Sequence, residues 1–356
     1  MPSHEWKVSR ALNSSQIDIY FEMDRYSAFP HLIRIQGEEL LVSFREAPRV
    51  NGIQHTHPRS IITLIRSYDG GLTWDKKNTS QMGAGGGQEL SLVSLGGEHV
   101  AGALAWHEVV QTNETIRTGI PQVYPAEFPF RTPGAFWAWS KTFGLTWLPH
   151  HSVFFGPGTM PCGSPLITSD GTLLCPVYGD QQAGMSSTLY RSLDQGRTWA
   201  EPTIIAQGTK GVCDYCEPCV VETSTHQYRA FHRVENTLEG QGCFWTNTSE
   251  DDGITWSIPQ NTHILSGACP RILKLTDGRL LLTFGRRYPP FGIRAMLSHD
   301  GGETWGDTAW LLREANNWNQ GYTSSIELGN NRILTVSYAE NEDGITGIVG
   351  TLYDLP

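Results

Sequence analysis

Five near-copies of one eight-residue segment constrain the fold of this chain more than any other feature. They are Ser67-Tyr-Asp-Gly-Gly-Leu-Thr-Trp74, Ser140-Lys-Thr-Phe-Gly-Leu-Thr-Trp147, Ser192-Leu-Asp-Gln-Gly-Arg-Thr-Trp199, Ser249-Glu-Asp-Asp-Gly-Ile-Thr-Trp256 and Ser298-His-Asp-Gly-Gly-Glu-Thr-Trp305. The pattern SxDxGxTW describes a tight turn between two strands. Asp and Gly set the turn, Ser or Thr hydroxyls bond back to the backbone, and Trp packs beneath. A second repeat runs out of phase with the first, over Phe29 to Phe44, Leu90 to Leu104, Pro165 to Val177, Pro218 to Phe231, Pro270 to Phe284 and Ser324 to Val336. Each copy is an apolar strand, a turn at Gly or Asn, and another apolar strand, and such self-similarity marks a repeat architecture.

Six opening strands and five turn segments make six units, the last without its turn segment. The expected fold is all-β, a six-bladed β-propeller of four-stranded antiparallel blades forming a single domain over residues 1–356. The turn segment is the Asp-box hairpin, and with it the chain resembles the sialidase superfamily of β-propellers. The boxes lie on the blade periphery and are structural, so chemistry is expected elsewhere. A length of 356 residues would usually suggest two domains, but a closed all-β architecture absorbs it as one. The 38 glycines, 20 prolines and lack of any long run at helical spacing agree with strands.

A formal charge of −10 argues against a nucleic-acid partner, which needs a basic face to displace counterions. No stretch is long and apolar enough to span a bilayer, and Met1-Pro-Ser-His-Glu-Trp-Lys7 has no apolar core of the secretory kind, so no membrane association and a cytoplasmic location are expected. Seven cysteines, an odd number, fit reduced thiols. The longest interval between boxes holds Trp106-His-Glu108 and the run Tyr124-Pro-Ala-Glu-Phe-Pro-Phe130, which reads as a loop inserted in the second blade, either a wall of the pocket or a cover for an edge.

In a propeller the residues just before each innermost strand surround the mouth of the channel. Here they fall in Tyr26 to Pro30, Gln88 to Leu90, Met160 to Ser164, Asp214 to Glu217, Gly267 to Cys269 and Asn319 to Tyr322. A tyrosine hydroxyl, with a reference pKa of about 10, is a poor nucleophile until a carboxylate accepts its proton. Cys216-Glu-Pro-Cys-Val-Val-Glu222 resembles the sialidase Asn-Glu-x-x-Val-Val-Glu, and Gly321-Tyr-Thr-Ser-Ser-Ile-Glu-Leu328 resembles its Tyr-Ser-Ser-Leu. The resemblance implies that Glu217 activates Tyr322. It also implies three arginines gripping a sugar carboxylate, a task that suits planar guanidinium groups. The first belongs to an Arg-Ile-Pro motif that here reads Ala28-Phe-Pro30, without the arginine. Arg233 stands for the second and Arg286 or Arg287 for the third, while Arg45, Arg49 and Arg59 are further basic residues near the first blade, and Arg45 and Arg59 join Arg233 and Arg287 as the expected substrate-binding set. The sialidase acid is an aspartate in the first-blade loop, yet residues 51–60 contain no Asp or Glu, leaving His55 and His57 as proton donors.

Cys162, Cys216 and Cys269, with Cys213 and Cys219, fall near the openings of three consecutive inner strands. They read as small buried thiols or as a metal site, the thiols being the commoner case, and no cofactor is expected. The leading functional expectation is an exo-acting, sialidase-like glycoside hydrolase on an acidic or deoxy sugar, with a carbohydrate as its partner and the Tyr/Glu pair assisted by a His proton donor. A lyase on uronic-acid-containing glycans and a non-catalytic carbohydrate-binding propeller are the alternatives.

Overall fold

The structure, a computed structural model, describes residues 6–50, 56–83, 85–109, 130–148, 152–181, 184–237 and 242–356. Six separate sheets are built from these residues around an antiparallel up-and-down pattern, with N-terminal strands added to the fifth and sixth. Their innermost strands are Arg25–Gln36, Gly87–Gly96, the pair Thr159–Pro161 and Leu166–Ile167, Asp214–Ser224, Arg271–Lys274 and Gly321–Gly329, which define blades 1 to 6. All six fall at the openings of the second sequence repeat, and the chain is the six-bladed all-β propeller its repeats announce.

Between neighbouring blades lie apolar layers made by strands buried on both faces. Ile33, Leu41 and Leu64 of blade 1 meet Leu90, Leu92 and Val100 of blade 2, and Trp137 and Phe155 of blade 2 meet Leu173, Cys175 and Val177 of blade 3. Each such aliphatic or aromatic side chain contributes about 1.5–3 kcal/mol on burial.

The ring closes through the N-terminal segment. Leu12–Tyr20 is the outermost strand of blade 6 and pairs antiparallel with Thr346–Asp354, while Lys7–Arg10 adds a parallel fifth strand to blade 5 against Thr308–Glu314. Blade 6 therefore has no chain continuing between its third and fourth strands, which is why it has no turn segment.

In the other blades the turn segment joins the third strand to the fourth. In blade 3, Ser192 Oγ donates to Asp194 Oδ1 at 2.8 Å and accepts from the Gly196 N–H at 2.8 Å, and Asp194 accepts from the Thr198 N–H at 2.8 Å and its hydroxyl at 2.7 Å. Blades 1, 4 and 5 repeat the same bonds. In blade 2 Thr142 stands where the others have Asp and accepts from the Thr146 N–H at 2.9 Å. Trp106, His107 and Glu108 belong to the second strand of blade 2, His99–Val109. The run Tyr124 to Pro129 lies outside the described residues.

Candidate active site

Three inner strands enter the mouth of the channel with the same local irregularity. The antiparallel register slips between Ala28 and His31 in blade 1, between Cys216 and Cys219 in blade 4, and between Gly321 and Ser324 in blade 6. At each slip one non-glycine residue takes the left-handed conformation: Phe29 at φ 58°, Glu217 at φ 50° and Tyr322 at φ 48°. Such a backbone costs about 1–3 kcal/mol per residue and persists only where the surroundings fix it. In blades 1 and 4 the next residue is Pro30 or Pro218, which has no N–H to give the ladder, so the strand skips a pair there.

The slips re-aim the three side chains at one another. Tyr322 Oη donates a hydrogen bond to Glu217 Oε1 across 105 residues of sequence, and Phe29 packs edge-on against Tyr322 with ring centroids 4.7 Å apart. Tyr322 and Glu217 are 9% and 4% exposed. Burial, and then the negative charge of Glu217, hold the Tyr322 hydroxyl well above its ordinary pKa. At rest the Tyr322 phenol is therefore the donor of the pair and a Glu217 oxygen its acceptor.

Register also locates the arginines. Directly across from the residue that precedes each left-handed position sit Arg45 opposite Ala28, Arg233 opposite Cys216 and Tyr338 opposite Gly321. These second-strand positions are equivalent, and in blade 2 the residue two beyond the Glu89–Ala105 pair is His107. Arg45 is fully buried and lies 5.6 Å from the centre of the Tyr26 ring, and burial lowers its pKa to about 10. Arg233 Nη1 donates to both Glu217 oxygens at 3.3 Å, and a second ion pair joins it to Glu235. Arg287, beyond the second strand of blade 5, donates to Tyr338 Oη at 2.7 Å and to the Gln320 carbonyl at 3.1 Å. Its guanidinium lies 5.4 Å from the centre of the Tyr322 ring, and its hydrogen bonds go to neutral oxygens. Tyr26 is within electrostatic reach of both Arg45 and Arg287, and Arg287 of Arg233, so three guanidinium groups line one mouth. Arg286 instead points to the Pro289 carbonyl at 3.3 Å.

Below this mouth lies a buried polar cluster. Arg271, on the inner strand of blade 5, pairs with Glu89 of blade 2 at 3.2 Å and directs Nη1 and Nη2 at Cys162 Sγ, each at 3.6 Å. Cys162 Sγ, Cys269 Sγ and a Glu217 oxygen lie within 4.8 Å of one another. Burial raises both thiols; at Cys269 the Cys162 S–H it accepts and the Arg271 charge outweigh burial, so Cys269 titrates below an ordinary thiol and Cys162 above. Past Arg271 the channel opens into a cavity of ≈ 280 Å³ lined by His31, Ser164, Thr283 and Ser324. His31 there has both ring nitrogens engaged, by the Leu92 N–H at 3.1 Å and Ser164 Oγ at 2.9 Å.

The expected site residues are thus divided. Tyr322, Glu217, Arg233, Arg287 and Arg45 meet at the axis. His57 is buried in the blade 1 loop, where its Nδ1 accepts from the Arg59 N–H at 3.0 Å, so the neutral ring carries its proton on Nε2. His55 lies outside the described residues. The Arg59 side chain is exposed and stands outside the buried axial set. Cys216 does not join Cys162 and Cys269, because its Sγ turns to Met185 Sδ at 3.1 Å, and Glu217 takes that place. Sequence reasoning missed His107, Tyr338 and the Glu89–Arg271 pair; counting two residues along each second strand would have found the first two. His107, with Nδ1 3.0 Å from Thr132 Oγ1, is lowered to about 3 by burial and by Arg45, and is neutral at ordinary pH.

Blades, slipped inner strands and axial Tyr–Glu pair together define a sialidase-like six-bladed propeller. The profile of the BNR repeat-like domain family matches residues 132–334, and the chain belongs to that family. A crystal structure of an unknown function protein from Dyadobacter fermentans is similar over 96% of this chain and 98% of its own, with 24% identity and a TM-score of 0.82. The Hadza microbial sialidase Hz136 is similar at 18% identity, over 93% of this chain and 66% of its own, with a TM-score of 0.66. Penicillium chrysogenum alpha-L-arabinanase complexed with arabinobiose is similar at 12% identity, over 97% and 99%, with a TM-score of 0.64. At these identities the likeness shows the fold. No curated protein matches the chain by sequence.

Proposed function

We propose that the chain is a glycosidase that removes a terminal sugar bearing a carboxylate. The observation that carries this reading is the buried hydrogen bond from Tyr322 Oη to Glu217. A structural tyrosine has no need of a strained backbone at both ends of one hydrogen bond, whereas a nucleophile needs a base within reach. As Tyr322 attacks the anomeric carbon, Glu217 takes its proton, and the Arg287 guanidinium over the ring stabilises the developing phenolate charge. The sugar carboxylate is received by Arg45 and Arg287, the second of which spends its hydrogen bonds on neutral oxygens. Arg233 is largely committed to Glu217 and Glu235 and holds the Glu217 carboxyl in place. The proton for the leaving group comes from His57 as its imidazolium, which is left as neutral imidazole; reaching that state requires the Arg59 N–H bond to Nδ1 to open so that Nδ1 can take a proton. Tyrosine nucleophiles of this kind are an accepted departure from the usual carboxylate pair. Neighbouring folds that include a sialidase and an arabinanase agree with a carbohydrate substrate.

The test is turnover of a panel of aryl glycosides of acidic and neutral sugars, followed by leaving-group release and ultraviolet absorbance together. Release on acidic glycosides, lowered about 10²–10⁴-fold in Tyr322→Phe and in Glu217→Gln, is expected. A gain in ultraviolet absorbance would mean elimination instead, and sugar binding without turnover would make this a binding propeller.

A further inference from the structure

The geometry points to a site for a thiophilic divalent cation, zinc being the prime case, formed by Cys162, Cys269 and Glu217 at the floor of the axial mouth. One ligand atom from each lies within 4.8 Å of the others, and the side chains are 1%, 0% and 4% exposed. A tetrahedral zinc, with sulfur near 2.3 Å and oxygen near 2.0–2.2 Å, sets its ligand atoms roughly 3.5–4 Å apart, inside that span. The ligands come from blades 3, 4 and 5: Glu217 from the inner strand Asp214–Ser224, Cys162 directly after Thr159–Pro161 and Cys269 directly before the segment that enters Arg271–Lys274. Two sulfurs and one oxygen favour zinc or cadmium over magnesium or calcium.

The surroundings suit a bound thiolate. Arg271 directs two N–H groups at Cys162 Sγ from 3.6 Å and is itself anchored by Glu89 at 3.2 Å. Hydrogen bonds to a ligating atom from such an outer layer orient it and tune the metal. The Cys-x-x-Cys spacing at Cys213, Cys216 and Cys219 is not the site, since Cys216 turns to Met185 and Cys219 Sγ accepts from the Ile272 N–H at 3.3 Å. Three ligands leave one coordination position open. Because zinc on one Glu217 oxygen lowers the basicity of the other and so weakens it as a base for Tyr322, zinc occupancy suppresses glycoside turnover; this consequence rests on the proposed function, and the binding itself does not.

The experiment is a titration of the chelator-treated, reduced full-length protein with Zn²⁺ by calorimetry and with Co²⁺ by absorbance. One equivalent is expected, with a sulfur-to-cobalt charge-transfer band in the near ultraviolet. Cys162→Ser and Cys269→Ser each weaken binding by about 10-fold or more, while Cys216→Ser and Cys243→Ser titrate as wild type. X-ray absorption at the zinc edge of the wild type, which needs no variant to fold, shows two sulfur neighbours. No binding, a band that survives in both Cys162→Ser and Cys269→Ser, or a zinc shell with any other sulfur count overturns the site. Zinc bound with two sulfurs in a protein that turns over no glycoside leaves the site standing and sinks the proposed function. Turnover insensitive to zinc, with no zinc bound, does the reverse.

Discussion

Arg271 shows what a single buried charge demands of its neighbours. It is 4% exposed, its guanidinium meets Glu89 and Cys162, and the Glu89 carboxyl is raised by burial despite that partner. Removing one member of a buried pair leaves the other uncompensated, which costs about 3–5 kcal/mol. Arg271→Met is therefore expected to lower unfolding stability in urea by that amount, and Arg271→Met with Glu89→Gln to cost less than the sum of the two changes. An additive double variant would mean that the two groups do not act as a pair. At this scale Glu217 and Tyr322 were legible, because each sits in a motif that survives without alignment of the whole chain. Arg45 was legible as a substrate-binding candidate, but its place at the axis was not. Its place opposite Ala28 depends on a slipped register, and one extra residue in a bulge changes which side chains face each other. The guanidinium missing from the Ala28-Phe-Pro30 segment is supplied instead from the adjacent strand. Arg45→Ala should raise KM for an acidic glycoside about 10–100-fold with a smaller effect on a neutral one, as loss of a charge-assisted hydrogen bond implies. An equal effect on both sugars would remove Arg45 from the carboxylate clamp.

Among elements, the turn segments form an internal comparison, four with Asp and one with Thr142. The backbone N–H of Thr198 holds the Asp194 carboxyl below its ordinary pKa, and the side chain of Thr255 does the same for Asp251. A carboxyl whose folded pKa is depressed contributes stability that is fully present above its unfolded value of about 3.9 and is lost as pH falls through the folded pKa. Thr142→Asp should therefore make the thermal midpoint fall more steeply below about pH 4 than it does in wild type, and Asp194→Asn less steeply. Unchanged slopes in both would show that these carboxylates carry no linked protons. The boxes were fully legible in sequence because their bonds are local, spanning at most four residues between donor and acceptor. Inner-strand bulges were half legible: Pro30 and Pro218 mark two of them, whereas nothing about Thr323 marks the third.

Blade count came from sequence because six openings recur at regular intervals, but the closure did not. The partner of Leu12–Tyr20 is Thr346–Asp354, at the opposite end of the chain, and no local pattern announces it. Ile19 in that strand is fully buried, and Tyr20 reaches Glu46 of blade 1 at 2.8 Å, so the strand ties blade 6 to blade 1. Deleting residues 6–20 is expected to open the ring, expose the edge of Thr346–Asp354 and abolish a cooperative thermal transition, as scanning calorimetry would register. A wild-type melting profile would place the closure elsewhere. The propeller brings Glu217 of blade 4 and Tyr322 of blade 6 to one hydrogen bond, and the most direct test of the proposed function asks whether that tyrosine reacts. The protein would be incubated with an activated fluorinated acidic sugar that forms a slow-turnover intermediate, and its peptides mapped by mass spectrometry. One sugar attached to the peptide containing Tyr322, absent in Tyr322→Phe and slow to form in Glu217→Gln, is the predicted result. Catalytic turnover with the sugar attached to any other residue, or with no attachment at all, would contradict Tyr322 as the nucleophile.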